Sequence, residues 1–119
     1  MPNETVLDDN VAQRSDIVLV GRPFVPIGLG EHIRCSFRAF QSIAVDARLR
    51  DVYGEEIRDL YGNEIDPDLK NELQTSLVQG FSPDLNIFNI NGDEVEPSLL
   101  HLATDLPGNA YNVIYPMWE

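Results

Sequence analysis

The stretch VGRPFVPIGLGEHIRCSFRAF, residues 20–40, decides the fold because it changes from strand-forming to helix-forming residues. It continues the apolar run of residues 17–20, so DIVLVGRPF (16–24) predicts a strand buried on both faces. Gly28-Leu29-Gly30 lies between this strand and the helix that follows. Two explanations of the glycines stay open at this point: close packing of the turn, or a ligand that approaches the backbone.

The segment GEHIRCSFRAFQSIAV (30–45) predicts an amphipathic helix, because its apolar residues recur at helical spacing. The apolar stripe expected to face the sheet consists of Ile33, Phe37, Phe40 and Ala44. The opposite side of the helix carries Arg34, Arg38 and Gln41. We expect Cys35, on the same helix, to be packed.

The rest of the chain continues the alternation of strands and helices. Residues 55–67 are rich in turn formers, and Asp66 is the expected N-cap of a helix with Pro67 at its first position. The stripe of that helix is Leu69, Leu73 and Leu77. The further elements predicted are a strand over 46–54, a helix over 68–78, a strand over 85–91, a helix over 97–104 and a strand over 110–118.

This alternation predicts an α/β fold, a three-layer Rossmann-like parallel sheet with helices on both faces. Residues 1–15 are expected to be a flexible acidic leader, and residues 16–119 to form the domain. The last predicted strand has no helix after it, although parallel sheets are normally covered on both faces. This pattern favours a piece of a longer protein over a small natural domain that ends on a strand.

The composition excludes several classes of function. The chain has 119 residues and a net charge of −12, so a nucleic-acid backbone or an anionic membrane surface would be repelled. We interpret the acidic residues as a solvated face rather than a dedicated cation site. There is no signal peptide and no transmembrane run, and the single cysteine fits a reducing compartment, so we expect a cytoplasmic protein.

Ligands of open parallel sheets bind at the carboxyl ends of the strands. Four segments leave those ends here, and they bring polar and aromatic residues to one edge of the sheet. The candidate binding residues are Gly28, Gly30, Glu31, His32, Asn91, Asp93, Trp118 and Glu119. Gly92 and Pro116 lie in the same segments.

No single motif at this edge of the sheet is specific enough to identify a ligand. Backbone amides around Gly28 and Gly30 could face an anion, but the third glycine of a dinucleotide fingerprint is missing. His32 is either a surface residue or a substrate ligand, and His101 is more simply a flank or core residue. Asp93 is expected to cap the next helix. No phosphate-binding P-loop, catalytic triad or metal site is indicated.

Taken together, GRPFVPIGLGEHIRCSFRAF, NIFNINGDEVEPSLLHL and YNVIYPMWE resemble the N-terminal domain of bacterial group 1 glycosyltransferases. These enzymes have the GT-B fold, which consists of two Rossmann-like domains. The resemblance covers residues 17–119, and the ordered set of stretches carries it rather than any one motif.

The resemblance implies an acceptor-binding lobe of a retaining glycosyltransferase that uses a nucleotide-sugar donor. The glycine loop with Glu31 and His32 would face the cleft, and Pro116, Trp118 and Glu119 would border the reacting sugar. The implied partners are a C-terminal donor-binding domain, the nucleotide sugar and a glycan acceptor. It implies no metal and no cofactor besides the donor. Many relatives use a histidine after a strand in this domain, and none is found here.

Two other interpretations remain. A non-catalytic flavodoxin-like or receiver-like binding module would share the fold class, but the acidic residues that a receiver needs after its first and third strands are missing. A nicotinamide-binding domain is disfavoured by the incomplete glycine pattern. The sequence also leaves a homodimer open, because a sheet edge or a lobe interface could be exposed. The 119-residue chain alone is expected to fold without transferring sugar.

Overall fold

A computed structural model of the chain describes residues 17–26, 28–54 and 65–116. The elements are β1 (Ile17–Gly21), α1 (Leu29–Ser42), β2 (Ala47–Asp51), α2 (Pro67–Thr75), β3 (Leu85–Phe88), a 3₁₀ turn (Gly92–Glu94), α3 (Val95–Leu102) and β4 (Tyr111–Ile114). The predicted leader over 1–15, most of the turn-rich stretch 55–67, and Trp118 and Glu119 lie outside the described residues. Each predicted strand is found, although each is shorter than predicted.

The four strands form one parallel sheet in the order β2-β1-β3-β4, which confirms the predicted α/β parallel fold. β1 lies in the middle of the sheet and is buried on both faces, as its continuous apolar run predicted. Leu19 belongs to one hydrophobic cluster, while Val18 and Val20 belong to the other, and all three are at most 1% exposed. Burial of the apolar side chains of β1 therefore contributes much of the free energy that stabilises the fold.

The two hydrophobic clusters show which helix covers which face. On one face, Ile33 and Phe37 of α1 and Leu73 of α2 pack on Leu19 and Leu49 of the sheet. The cluster on the opposite face includes Val18, Val20 and Phe88, and it is flanked by Val95 and Leu102 of α3. The sheet is thus the middle of three layers, as predicted.

The segment after α2 differs from the prediction and completes the topology. The helix ends at Thr75, so the predicted stripe position Leu77 is not helical. Leu77 instead forms a parallel bridge with Leu49, whose N–H donates to the Ser76 carbonyl at 2.9 Å while its own carbonyl accepts from Val78 N–H at 2.8 Å. Edge pairing with β2 outweighs the local helical spacing here, because it satisfies backbone groups of both segments.

When Leu77 is counted as a strand position, the order becomes Leu77-β2-β1-β3-β4, which in chain order is 3-2-1-4-5. This is the order of a Rossmann half. The crossovers that run outward from β1 place α1 and α2 on one face, and the crossover from β3 to β4 runs the other way with α3 on the opposite face. Crossovers of a single hand produce this arrangement. The topological switch point, where ligands bind in such sheets, lies between β1 and β3.

The chain returns from Leu77 to β3 without a helix, and buried side-chain amides hold this crossover. The Asn86 side chain accepts from Ser82 N–H at 2.6 Å and donates to the Ser82 carbonyl at 2.9 Å. It also donates to Asn112 of β4 at 3.0 Å, which links the loop to two neighbouring strands. These bonds replace the backbone hydrogen bonds that a crossover helix would provide.

The ends of the helices confirm one predicted cap and correct another. Asp66 caps α2 by accepting from Leu69 N–H at 3.1 Å, as predicted. The expected cap by Asp93 was wrong, because Asn91 and Glu94 instead form a reciprocal capping box. α3 also begins at Val95, before the predicted 97, so Pro97 lies in the first turn, where its missing N–H has no acceptor to lose.

Helix α1 ends earlier than predicted, and Ala44 is not part of its apolar stripe. Ala44 N–H donates to the Gln41 carbonyl and Val45 N–H donates to the Phe40 carbonyl, which is the Schellman pattern of a helix end. Ala44 has φ of 60° and is exposed. An alanine thus occupies the left-handed position that usually holds glycine.

We predict that Ala44→Gly raises the free energy of unfolding by about 0.5–1 kcal/mol, because glycine has no Cβ to oppose a positive φ. Ala39→Gly is the matched control, since Ala39 is exposed within the same helix, and it should lower the free energy of unfolding by about 1 kcal/mol. Urea unfolding of both variants measures the difference. Equal destabilisation by the two substitutions would contradict the assigned helix end.

Candidate functional site

The loop between β1 and α1 is held by a buried arginine. The Arg34 guanidinium donates to the carbonyls of Pro23, Val25 and Pro26 at 2.8, 2.5 and 2.7 Å. Burial lowers the pKa of Arg34, while the nearby Glu31 carboxylate acts in the opposite direction. The sequence placed Arg34 on the side of α1 opposite the apolar stripe but did not indicate its burial, and the structure shows that Arg34 is 8% exposed and closes the loop.

The fold itself explains why both positions of the loop are glycine. Gly28 is the N-cap of α1 with φ of 64° and ψ of −125°, a conformation that side chains disfavour. A Cβ on Gly30 would lie 1.9 Å from the carbonyl oxygen of Val25. Of the two explanations left open by the sequence, the structure supports close packing for Gly30 and backbone conformation for Gly28.

His32, in the first turn of α1, contacts the end of β4. Its Nε2 donates to the Tyr115 carbonyl at 2.8 Å, and the two rings lie 4.6 Å apart between centroids. The contact joins residues 83 positions apart in the chain. It brings the start of α1 to the carboxyl edge of the sheet, beside the residue that directly follows β4.

A groove of about 320 Å³ lies between α1 and the exposed side of β3 and β4. Its lining residues are His32, Cys35, Ser36, Ala39, Phe40, Ile87 and Tyr115. Cys35 is exposed there, so the prediction of a packed cysteine was wrong. The groove combines an apolar floor at Ile87 with polar groups at its carboxyl end, which is the usual composition of a small-molecule site.

Asn89 lies beside this groove at the switch point. The side-chain Nδ2 donates to Ser36 Oγ at 3.0 Å, and the residue is fully buried. Its Oδ1 is a buried acceptor that has no partner within the described residues. Gly21 of β1 leaves room for this arrangement, since a Cβ there would lie 3.3 Å from the Asn89 carbonyl oxygen.

Asn91 and Asp93 follow β3 at the same edge, but they lead into α3 on the other face of the sheet. Asn91 N–H donates to Glu94 Oε1 at 3.2 Å within the capping box, while Asp93 is exposed. The predicted site residues are therefore divided between two faces. Gly28, Gly30, Glu31 and His32 belong to the face of α1, and Asn91 and Asp93 to the face of α3.

On the α3 face, a pocket of about 150 Å³ lies at the ends of β1 and β3 and is lined by Arg22, Val52, Tyr53, Ile90, Glu94 and Ser98. The Arg22 guanidinium lies 5.2 Å from the centroid of the Tyr53 ring. The His101 ring also contacts the Tyr53 ring, at 4.7 Å between the ring centroids. His101 is exposed rather than part of the core.

The sequence did not indicate Ser36, Asn89 or Tyr53 as site residues. Ser36 had a usable signal, because it follows His32 at i, i+4 and so lies on the same side of α1. Asn89 directly follows β3 and Tyr53 lies two residues after β2, but a single aromatic or amide near a strand end is too common to indicate a site. Their role depends on contacts between distant segments.

Comparisons of the chain with protein-family models, with curated proteins and with solved structures find no match. Among the helices that the structure describes, none has the length and apolar content to cross a membrane. The same residues contain no group of three or more His, Cys, Asp or Glu side chains that could hold a metal ion.

We predict that Gly30→Ala lowers the free energy of unfolding by about 3 kcal/mol, since the added Cβ has to displace the Val25 backbone. Gly80→Ala is the control, because a Cβ at Gly80 meets nothing within 4 Å. Thermal unfolding followed by circular dichroism compares the two. Wild-type stability of Gly30→Ala would show that the loop is not packed as described.

Proposed function

We propose that this chain is the acceptor-binding N-terminal lobe of a retaining glycosyltransferase that uses a nucleotide-sugar donor. In the reaction, the bond between the sugar carbon and the donor diphosphate breaks, and a bond to an acceptor oxygen forms on the same face of the sugar. A further domain of the same cytoplasmic protein would bind the donor. The ordered resemblance of three stretches and the Rossmann strand order support this proposal.

The contact between His32 and Tyr115 is the observation that carries the proposal. It joins the first stretch of the resemblance, which contains the glycine loop, to the last one, which contains β4. In an open parallel sheet the carboxyl edge is where ligands bind. Two segments that the resemblance assigns to the cleft thus contact each other at this edge.

The groove beside this contact suits a sugar. The Tyr115 side chain is 53% exposed, so its ring is available to the apolar face of a pyranose. His32 and Ser36 offer hydrogen-bonding groups to hydroxyls, and Ile87 and Phe40 form apolar walls. Asn89 does not line the groove, but its side chain donates to Ser36 Oγ at 3.0 Å and so orients a hydroxyl that does.

A flavodoxin-like binding module is the second candidate, because the named strands alone have the order β2-β1-β3-β4. In that fold the helix between the second and third strands lies on the face opposite the first helix, as single-handed crossovers require. Here α2 packs on the same cluster as α1, and Leu77 extends the sheet beyond β2. These two observations favour the Rossmann lobe.

We predict that glycosides bind in the groove and that Tyr115→Ala weakens this binding about tenfold, the loss of about 1.4 kcal/mol of ring contact. The substitution keeps the backbone carbonyl to which His32 donates. Tyr111→Ala is the matched control, since Tyr111 lies on the same face of β4 and is 79% exposed but does not line the groove. Amide chemical shifts of the full chain, titrated with methyl glycosides and linear oligosaccharides, measure both affinities.

The same titration is repeated with NADH and with nucleotide sugars. We expect the glycosides to move the amide signals of His32 and Tyr115, and NADH to move none. Nucleotide sugars should bind weakly, because most donor contacts would belong to the other domain. Failure of every glycoside at about 50 mM, or tight binding of NADH at the edge of the sheet, would overturn the proposal.

A further inference from the structure

Arg50 of β2 is a half-buried cation that has no counter-ion among the residues that the structure describes. Its guanidinium lies 4.5 Å from the centroid of the Phe81 ring, on the face of the sheet that α3 covers. In the part of the chain that the structure describes, it has neither a hydrogen bond nor a carboxylate partner. Burial lowers the pKa of Arg50, and no neighbouring acid acts in the opposite direction. A desolvated charge of this kind costs free energy unless something pairs with it.

The Arg50 side chain lines a cavity of about 350 Å³ at the carboxyl ends of β2 and of the Leu77 bridge. The polar groups in this cavity are Arg50, Asp51, Tyr53, Gln79 and His101, and its apolar walls include Leu77, Val78 and Leu102. We call it the Arg50 cavity. It is separate from the groove beside His32, which lies on the opposite face of the sheet.

The side chains that line the Arg50 cavity offer more hydrogen-bond donors than acceptors. A guanidinium, a phenol, an imidazole and a primary amide can all donate hydrogen bonds into it. The one carboxylate, that of Asp51, already accepts from Tyr53 N–H at 3.3 Å. The cavity thus offers an anion a local group of donors in a chain with a net charge of −12.

We propose that the Arg50 cavity binds the phosphate group of a phosphorylated small molecule. A guanidinium binds two phosphate oxygens at once, which leaves the third for Tyr53 or His101. The apolar side chains Leu77 and Leu102 contact the rest of the ligand. The stacking of Arg50 on Phe81 keeps the guanidinium in place before the ligand arrives, so little side-chain entropy is lost on binding.

This site goes beyond the proposed sugar transfer and does not depend on it. Glycosides in the groove would move signals of His32 and Tyr115, whereas phosphate in the Arg50 cavity would move those of Gly54, Gln79 and His101. Either proposal can therefore fail while the other stands.

The test uses the full chain and titrates it with inorganic phosphate and with glucose 1-phosphate. Chloride at the same ionic strength and glucose are the negative probes. We expect phosphate and its ester to shift the amide signals of Gly54 and Gln79 with a Kd of about 1 mM, and the negative probes to leave them in place. Tighter binding of the ester than of free phosphate would show that the apolar walls contribute.

Two arginine variants complete the test. Arg50→Met keeps an unbranched apolar side chain but removes the guanidinium that lies over Phe81, and it should weaken phosphate binding at least tenfold. Arg48→Met is the matched control, because Arg48 lies on the same strand and face but is paired with Asp46 at 3.1 Å and does not line the cavity. Arg50→Met should also melt no lower than wild type without ligand. Binding that survives Arg50→Met, or equal shifts with chloride, would overturn the proposal.

Discussion

The buried guanidinium of Arg34 is the interaction on which the arrangement of the site depends. It donates to three backbone carbonyls of the loop, those of Pro23, Val25 and Pro26. A charged donor makes each of these bonds worth about 1.5–3 kcal/mol, although burial of the charge takes back part of that gain. The rigid fork of the guanidinium holds the three carbonyls in a fixed arrangement, so the loop and the first turns of α1 are fixed together.

The consequences of this constraint reach the edge of the sheet. Because the Val25 carbonyl is held close to α1, position 30 has no room for a side chain. The first turn of the helix is then placed so that His32 meets the Tyr115 carbonyl beyond β4. The groove lies beside this contact, between α1 and Ile87 of β3, while Arg50 and Tyr53 line a separate cavity on the opposite face. The loop therefore positions the polar groups on the α1 side of the sheet.

The sequence predicted the features that depend on local patterns. The continuous apolar run of β1, the alternation of strands and helices, and the Asp66 cap are all confirmed. The helical position of Leu77 was wrong and the burial of Arg34 was not predicted, for the same physical reason. Helical spacing describes one element, whereas both residues make their bonds to another segment. The Asn91 cap was missed because Asn91 and Asp93 are both good capping residues, and only the backbone decides between them.

The most direct test of the account is a nuclear Overhauser measurement between the rings of His32 and Tyr115, whose centroids lie 4.6 Å apart. It is made on the wild-type chain, on Arg34→Lys and on the control Arg38→Lys, which changes an exposed arginine of the same helix. We predict that the contact is present in wild type and the control and is lost in Arg34→Lys, while contacts between β1 and β3 persist. A contact of undiminished intensity in Arg34→Lys would contradict the central role of Arg34.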